Sequence, residues 1–375
     1  MRESKSILCL VPLPPPVTGA ALASSAVVDC LRGECPTIVV EYQRGNLTSG
    51  KFSFKQVFNI LVVGAKILTV RIRNADLARV YMVCSTSLLG HLRDLFLFFC
   101  LGKRLRGGAI LHIHTSNNGE GLPAIAPRGL KRLARNMFRD IRRGVVLGET
   151  WRNIYGEYLG EDKIFEVNNF FSPELLIPLE GVYEKYQRPG KLSILFLSNM
   201  IKAKGYDALL DAFITLPEKI RDRAELNFAG HFNSETEKKR FLEKISDFEN
   251  IFYHGPVYSN DKRDLLWRSH IFCLPTIYSY EAQPIVLLEA YAAGAVVITT
   301  SNRGLSDVFS DKRNGAIIRN SSTPEALRAN LAEVLIMAIL DQSGSEKIAL
   351  SNRQQAIEKY SLEIFQKKIK AVILS

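Results

Sequence analysis

The sequence has few of the features that mark disulfide-rich, disordered or membrane-spanning proteins. Its 375 residues include six cysteines, none in a Cys-x-x-Cys pair, and five of the six lie in apolar runs. That placement predicts reduced core residues of a cytosolic protein. There is no low-complexity tract, and no stretch supplies the ~20 predominantly apolar, uncharged residues that a membrane span requires. We therefore expect a globular protein.

Two phosphate-binding signatures are also missing. The sequence contains no Asp-x-Asp, the carboxylate pair that would hold a divalent metal ion against a diphosphate. It contains no Gly-x4-Gly-Lys-[Ser/Thr] loop either. We therefore expect neither a metal site nor a P-loop nucleotide site.

Positive charge is in excess and is concentrated in the first half of the chain. The formal net charge is +11, of which residues 1–190 carry +9. Between Arg93 and Arg143 there are eleven basic residues against three acidic ones. A basic face of this kind attracts phosphate groups, whether of nucleic acid, of anionic lipid or of a pyrophosphate-bearing substrate.

Apolar runs of strand length alternate with helical periodicity along most of the chain. Strands are predicted at 6–11, 37–42, 77–83, 109–113, 145–147, 165–167, 192–197, 225–229, 271–274, 296–299 and 316–318. Helices are predicted at 20–31, 54–70, 88–101, 128–142, 205–215, 235–247, 259–268, 284–293, 324–340 and 362–374. Two successive alternations of this kind predict an α/β protein with two Rossmann-like, doubly wound domains.

The alternation pauses over 173–190, where three prolines and two glycines fall in a segment without a clear period. We interpret this segment as a linker. The predicted domains are 1–185 and 190–358, followed by a helical segment, 359–375, that packs back on the first domain. Ligands of such sheets bind at the carboxyl ends of the strands, so the expected site is a cleft across which the two domains face each other.

The strongest local signal is a pair of glutamates eight positions apart, Glu281 and Glu289. Pro284 lies between them, where a helix can begin without losing a hydrogen bond. The amides of Ile285 and Val286 would then face an anion, and carboxylates accept hydrogen bonds well from sugar hydroxyls. One helix start could thus hold a diphosphate and both flanking sugars. Two solvated glutamates on a surface helix are the alternative.

This stretch resembles the E-x7-E motif of the family 4 retaining glycosyltransferases, which have the GT-B fold. The matching residues are Glu281, Pro284, Glu289, Ala290, Ala292 and Gly294. The resemblance implies that Glu281 is a catalytic residue that contacts the donor sugar and that Glu289 binds the ribose of the nucleotide. Ala282 replaces the usual glycine, so the loop beside the donor sugar departs from the family pattern.

The loop after the strand at 192–197 is similar to a second family motif, Gly-Arg-Leu-x-x-x-Lys-Gly. Lys204 matches the lysine that neutralises the donor diphosphate, which implies a catalytic role. Asn199 stands in the place of the family arginine and supplies no charge, whereas Lys202 is near enough to compensate. We expect Lys202 and Asn199 to bind the donor; solvated lysines before a helix are the alternative.

The first half of the chain carries a weaker resemblance. Gly19 follows the first strand and opens a helix, where family members place a glycine-containing loop near the diphosphate and the acceptor. His112 and His114 end the fourth strand on one face. The family has a histidine here that points into the cleft, and His114 is the better placed, so it is the third predicted catalytic residue. A plain turn and buried core histidines are the alternatives.

Three smaller signals complete the predicted site. Asn168-Asn169 resembles the loop before the family's interdomain linker, and the segment 254–257 resembles the loop that borders the base. We therefore expect Val257 to contact the nucleotide, together with Gln283 of the glutamate motif.

The resemblance implies a retaining, metal-independent glycosyltransferase with no cofactor beyond its donor, a nucleotide-diphosphate sugar. The domain 1–185 would bind the acceptor and the domain 190–358 the donor. One alternative is another GT-B enzyme, such as a nucleotide-sugar epimerase. A second is a nucleic-acid-binding protein, which the basic helix at 128–142 disfavours because it lacks interleaved aromatic residues for base stacking.

The basic helix suits an anionic membrane surface better than a nucleic acid, with a solvated helix face as the alternative. The helices at 54–70 and 88–101 are also apolar. We therefore expect a cytoplasmic enzyme, peripheral on the inner face of the plasma membrane. Its expected acceptor is a lipid-linked saccharide or oligosaccharide of surface polysaccharide assembly. The donor sugar, the base and the oligomeric state stay open.

Overall fold

The structure is a computed structural model that describes residues 6–42, 54–114, 127–156, 159–319 and 323–375. The chain divides into two compact units. The first unit comprises Met1–Asn169, Ser279–Gln283 and Glu363–Ser375, and the second comprises Phe170–Tyr278 and Pro284–Leu362. Within the described ranges, no helix has both the length and the apolarity needed to cross a membrane.

The first unit is built on a six-stranded parallel sheet. Its strands are β1 (Ile7–Val11), β2 (Thr37–Glu41), β3 (Arg79–Cys84), β4 (Ala109–Ile113), β5 (Arg143–Val146) and β6 (Ile164–Glu166), in the order β2-β1-β3-β4-β5-β6. Its helices are α1 (Gly19–Arg32), α2 (Phe54–Arg73), α3 (Leu88–Arg106) and α4 (Arg128–Phe138). The strands β1 and β4 are buried at every position, as expected for parallel strands covered on both faces.

The second unit repeats this plan with another strand order. Its strands are β7 (Leu192–Leu197), β8 (Ala224–Ala229), β9 (Ile251–Tyr253), β10 (Ile271–Leu274), β11 (Val296–Thr300) and β12 (Gly315–Ile318), in the order β12-β11-β10-β7-β8-β9. Its helices are α5 (Leu179–Gln187), α6 (Tyr206–Ile214), α7 (Glu218–Arg221), α8 (Glu235–Ile245), α9 (Ser259–Arg268), α10 (Ile285–Ala292), α11 (Pro324–Leu340) and α12 (Gln342–Tyr360). A last helix, α13 (Leu362–Leu374), lies almost wholly in the first unit.

The strand order locates the ligand-binding edge of each sheet. In a doubly wound sheet, ligands bind where the order reverses, at the carboxyl ends of the two strands that flank the reversal. That switch point lies between β1 and β3 in the first unit and between β7 and β10 in the second. The predicted α/β class with two doubly wound sheets is confirmed.

The segment interpreted as a linker contains a helix instead. Within it, α5 packs into the second unit through Lys185, whose Nζ donates to the carbonyls of Ser269, Ala293 and Gly294 at 2.8–2.9 Å. Burial lowers the pKa of Lys185 to about 7. Residues 170–185, which the sequence placed in the first domain, therefore lie in the second unit. A nine-residue helix flanked by prolines is too short for its period to stand out.

The predicted basic helix at 128–142 is shorter than expected. It ends at Phe138, and Arg142 and Arg143 serve a different purpose. The Arg142 guanidinium donates to the carbonyl of Ser375 (2.7 Å), and that of Arg143 donates to the carbonyl of Val372. Together with Arg79, which donates to the carbonyl of Ile373 (2.6 Å), they neutralise the carboxyl end of α13. Arg142 and Arg143 are thus not part of the exposed basic face.

Candidate functional site

At the switch point of the second sheet, the loops that follow β7 and β10 are bonded to each other. The Ile277 amide donates to the carbonyl of Ala203 at 2.8 Å. Gly205 ends the first loop with φ of 84°, and a Cβ there would lie 2.4 Å from the Pro275 carbonyl oxygen. Only glycine allows this approach. The two loops therefore form one rigid surface, here called the Lys204 surface, at the edge where ligands of such sheets bind.

This surface carries the predicted lysines. Lys202–Lys204 form a single turn of 3-10 helix before α6. The Lys204 side chain is half-buried, and its Nζ lies 5.6 Å from the centroid of the Tyr278 ring, a cation–π contact between the two loops. Lys202 and Asn199, which are close to Lys204 in the sequence, are exposed to solvent. Lys204 is thus the basic group that the fold holds most firmly on this surface.

The helix that follows the second loop begins one residue later than predicted. Pro284 is the extended residue before α10, and Ile285 is the first helical residue. No side chain in the described part of the chain caps this helix start. The first amides of a helix have no intrahelical acceptor, so those of Ile285 and Val286 are suited to bind an anion.

Glu289 is buried in an ion pair that the sequence did not indicate. Glu289 is 1% exposed, and its Oε1 accepts a hydrogen bond from Lys262 Nζ at 2.7 Å. The other oxygen, Oε2, is buried and has no hydrogen-bond partner among the described residues. A buried carboxylate oxygen without a donor is costly, which makes it a candidate acceptor for a ligand hydroxyl. Lys262 lies on α9, and no sequence spacing connects it to Glu289.

Glu281 lies in the short segment Ser279–Gln283, which belongs to the first unit although the chain on both sides of it belongs to the second. A set of hydrogen bonds, here called the 282–283 clamp, holds the two residues after it. Trp151 Nε1 donates to the carbonyl of Ala282 (3.2 Å), and Asn169 Nδ2 donates to that of Gln283 (2.9 Å). Gln283 Oε1 accepts a hydrogen bond from the backbone N–H of Asn169 (2.5 Å), and Gln283 Nε2 donates to the carbonyl of Leu147 (3.0 Å). The clamp fixes the backbone beside Glu281.

The clamp changes the interpretation of Gln283. The sequence suggested a nucleotide contact, yet both polar atoms of its buried side chain are bonded to the protein backbone. Gln283 therefore holds its loop in place in this structure. Asn168 has a similar task, because its Nδ2 donates to the same Leu147 carbonyl at 2.7 Å. Neither Trp151 nor Asn169 was singled out for this role, although Trp151 is one of only two tryptophans.

The remaining predicted residues follow strands, two of them in loops and one at the start of a helix. His114 follows β4, is 8% exposed and lies against His112, with the ring centroids 3.9 Å apart. His112 is a core residue: its Nδ1 bonds to the Tyr81 hydroxyl at 2.8 Å, and burial lowers its pKa to about 3. Gly19 is the exposed first residue of α1. Val257 is half-buried in the loop after β9 and packs on the core of the second unit.

A groove of the second unit lies elsewhere. It has a volume of about 1210 Å³ and is lined by Lys185, Ser193, Trp267 and His270, among others. Ser193 and His270 lie at the amino ends of β7 and β10. That edge is opposite the one at which ligands of doubly wound sheets bind. We therefore place the candidate site on the Lys204 surface and not in this groove.

Comparison with solved structures defines the class of fold. The chain is similar over 99% of both chains to HepE of Anabaena in complex with UDP and glucose, with a TM-score of 0.71 and 14% identity. It is similar over 98% of its length and 99% of the other chain to WaaG, a glycosyltransferase involved in lipopolysaccharide biosynthesis, with a TM-score of 0.67 and 16% identity. The chain therefore has the GT-B fold of these glycosyltransferases.

The family model of the group 1 glycosyl transferases matches residues 184–349. The lipopolysaccharide glucosyltransferase WaaG of Escherichia coli is 29% identical over 144 residues, 38% of this chain and 37% of that protein. The alpha-maltose-1-phosphate synthase of Mycolicibacterium smegmatis is 29% identical over 114 residues, 28% of this chain and 29% of that protein. The chain thus matches about a third of the length of these relatives. The family match falls within residues 170–362, most of which form the second unit, and covers less than half of the chain.

Proposed function

We propose that this protein is a retaining glycosyltransferase that moves a sugar from a nucleotide-diphosphate sugar to a hydroxyl acceptor. The observation that carries the proposal is the Lys204 surface, a rigid pair of loops at the switch point of a sheet that matches the group 1 family. A half-buried lysine there suits a diphosphate. The neighbouring HepE structures contain UDP or UDP-glucose, so UDP-sugars are the first donors to test.

In the proposed reaction, the acceptor hydroxyl oxygen bonds to the anomeric carbon as the bond from that carbon to the phosphate oxygen breaks. The leaving phosphate takes the acceptor proton, so no separate general base is required. Lys204 and the first amides of α10 stabilise the charge that develops on the diphosphate, a role in which positioned donors contribute strongly. These groups make the reaction independent of a metal ion. Glu281 orients the donor sugar through its hydroxyls, and His114 contacts the same sugar.

The test of this function is the stereochemistry of the product. The purified protein is first screened against nucleotide sugars for thermal stabilisation, and the donor that stabilises it is then incubated with candidate acceptors. We expect the proton NMR spectrum to show a transferred sugar with its anomeric configuration retained, also in the presence of EDTA. An inverted product would contradict the retaining mechanism. An isomerised donor without transfer would instead identify an epimerase.

Glu289 is proposed to bind the ribose through Oε2, the buried oxygen without a partner in the described structure. Glu289→Ala is expected to weaken nucleotide binding about tenfold or more, because a charge-assisted hydrogen bond contributes about 1.5–3 kcal/mol. Isothermal titration with the nucleotide measures this.

A matched control for the ribose role changes Lys262, the ion-pair partner of Glu289. Lys262→Met removes the lysine and leaves Oε2 in place. Because the variant Glu289→Ala/Lys262→Met carries no unpaired buried charge, it should bind nucleotide as weakly as Glu289→Ala and be more stable to heat. Unchanged affinity in both Glu289 variants would contradict the ribose role.

The acceptor is proposed to be a lipid-linked saccharide reached at the inner face of a membrane. The exposed arginines Arg128, Arg132 and Arg135 of α4 support this, together with Arg139 directly after the helix. Each basic residue near an anionic membrane surface contributes ~1 kcal/mol, and the attraction is screened by salt. The lipopolysaccharide relative WaaG is consistent with such an acceptor.

A further inference from the structure

Helix α2 presents a stripe of apolar side chains to solvent, here called the α2 stripe. Its members recur every three or four residues and so share one helix face: Phe54, Phe58, Leu61, Ala65, Leu68 and Ile72. Phe54, Phe58 and Ile72 are exposed by 96%, 65% and 80%. Val57 and Val62 are also exposed and widen the face. An exposed patch of large apolar side chains this extensive marks an interaction site.

The α2 stripe is not the face by which α2 packs on the core, because the opposite face of the helix is buried. Val63 and Ile67 are buried in the core of the first unit. Gly64 lets α2 approach α3 so closely that a Cβ would lie 2.7 Å from Cε1 of Phe96. The helix is therefore held on one side by the fold, and the stripe faces outward in a defined orientation.

The charges on α2 decide what covers the stripe. The helix contains no aspartate or glutamate, and Lys66, Arg71 and Arg73 are exposed on it. A second copy of α2 would bring one set of cations against another, which opposes self-association. Anionic lipid headgroups complement the cations, and acyl chains accept the apolar face.

We propose that α2 lies in the interface of an anionic lipid bilayer, with the α2 stripe among the acyl chains and the cations at the headgroups. This proposal deepens the proposed function and rests on it in one respect: the lipid-linked acceptor is the reason why the enzyme would contact a membrane. It differs from attraction by the basic α4, because burial of apolar area is not screened by salt. Binding through α2 should therefore persist at high salt.

The experiment measures co-sedimentation of the full chain with phosphatidylglycerol/phosphatidylcholine vesicles at ~0.1 M and ~1 M NaCl. The test variant, Phe58→Gln/Leu61→Gln, changes two exposed side chains. Its matched control, Met337→Gln/Leu340→Gln, changes two apolar side chains on α11 that are exposed by 60% and 50%. Arg132→Glu/Arg135→Glu/Arg139→Glu, the α4 variant, reverses three positive charges on α4 and directly after it.

Wild type and the α11 control should bind at both salt concentrations. The stripe variant should lose more than about tenfold in partition at ~1 M NaCl, because its two glutamines no longer bury apolar area among the acyl chains. The α4 variant should lose binding mainly at ~0.1 M NaCl. In Phe58→Trp, the indole emission should shift to shorter wavelength on binding and be quenched by brominated acyl chains.

Equal binding by wild type and the stripe variant at ~1 M NaCl would overturn the proposal. So would a dimer in light scattering that the stripe variant converts to a monomer, since the stripe would then cover a second copy. Thermal stabilisation by nucleotide sugars is measured on the same samples. If no nucleotide sugar stabilises the protein but α2 still inserts, the proposed function fails and the docking proposal stands.

Discussion

Lys204→Ala is expected to lower kcat by about 10²-fold or more, the effect of removing one positioned group that stabilises charge in a transition state. The charge on the departing diphosphate is largest in the transition state, so kcat should fall more than donor affinity. Steady-state rates with the donor found by thermal screening give both quantities.

Two variants make this result specific to Lys204. Lys202→Ala removes an exposed lysine from the same turn and should change kcat much less. Lys204→Arg keeps the charge but places it in a larger planar group, so it should recover only part of the rate. If Lys204→Ala and Lys202→Ala had equal and small effects, the diphosphate would be neutralised by other groups.

Glu281→Gln is expected to have the second large effect. It should lower kcat by about 10²-fold and leave the dissociation constant for the free nucleotide unchanged. The carboxylate is proposed to accept hydrogen bonds from the sugar, and a charge-assisted hydrogen bond contributes about 1.5–3 kcal/mol. Calorimetry with the nucleotide alone should match wild type because the sugar is absent. Near wild-type transfer rates would remove Glu281 from the mechanism.

Weakening the 282–283 clamp should lower kcat in the same way as Glu281→Gln, but by a smaller factor. Trp151→Phe deletes the indole N–H that bonds to the Ala282 carbonyl and keeps an aromatic ring in the core. Because a misplacement of about 1 Å can cost up to 10²-fold in rate, we expect a loss of roughly tenfold in kcat with nucleotide affinity retained. In the Glu281→Gln background the same change should have little further effect, since both act through one side chain.

The strands and most helices were predictable because their apolar pattern follows directly from burial. The predicted strand Leu192–Leu197 and the helices Ser259–Arg268 and Pro324–Leu340 match the structure at both ends. By contrast, α12 was missed because polar side chains occupy its buried side. Asn352 Nδ2, for instance, donates to the carbonyls of Ala295 and Asn314. A helix that buries amides does not show an apolar period.

The candidate site was predictable only where residues cluster in sequence. The lysines of the loop after β7 and the start of α10 were located by motif, and the structure places them on loops at carboxyl ends of strands. The partners of those residues come from distant segments: Lys262 reaches Glu289, and Trp151 reaches Ala282 across 131 positions. Such pairings depend on tertiary structure, which no local spacing encodes.

The three arginines that hold the carboxyl end of α13 bear on the order in which the protein folds during synthesis. Domains ordinarily fold as they leave the ribosome, the amino-terminal one first. Here the first unit needs Ser279–Gln283 and Glu363–Ser375, which are synthesised after most or all of the second unit. Until α13 emerges, Arg79, Arg142 and Arg143 lack the carbonyls that they bind in the finished protein. The first unit, although its synthesis begins earlier, can therefore complete its fold only after the chain of the second unit has been synthesised.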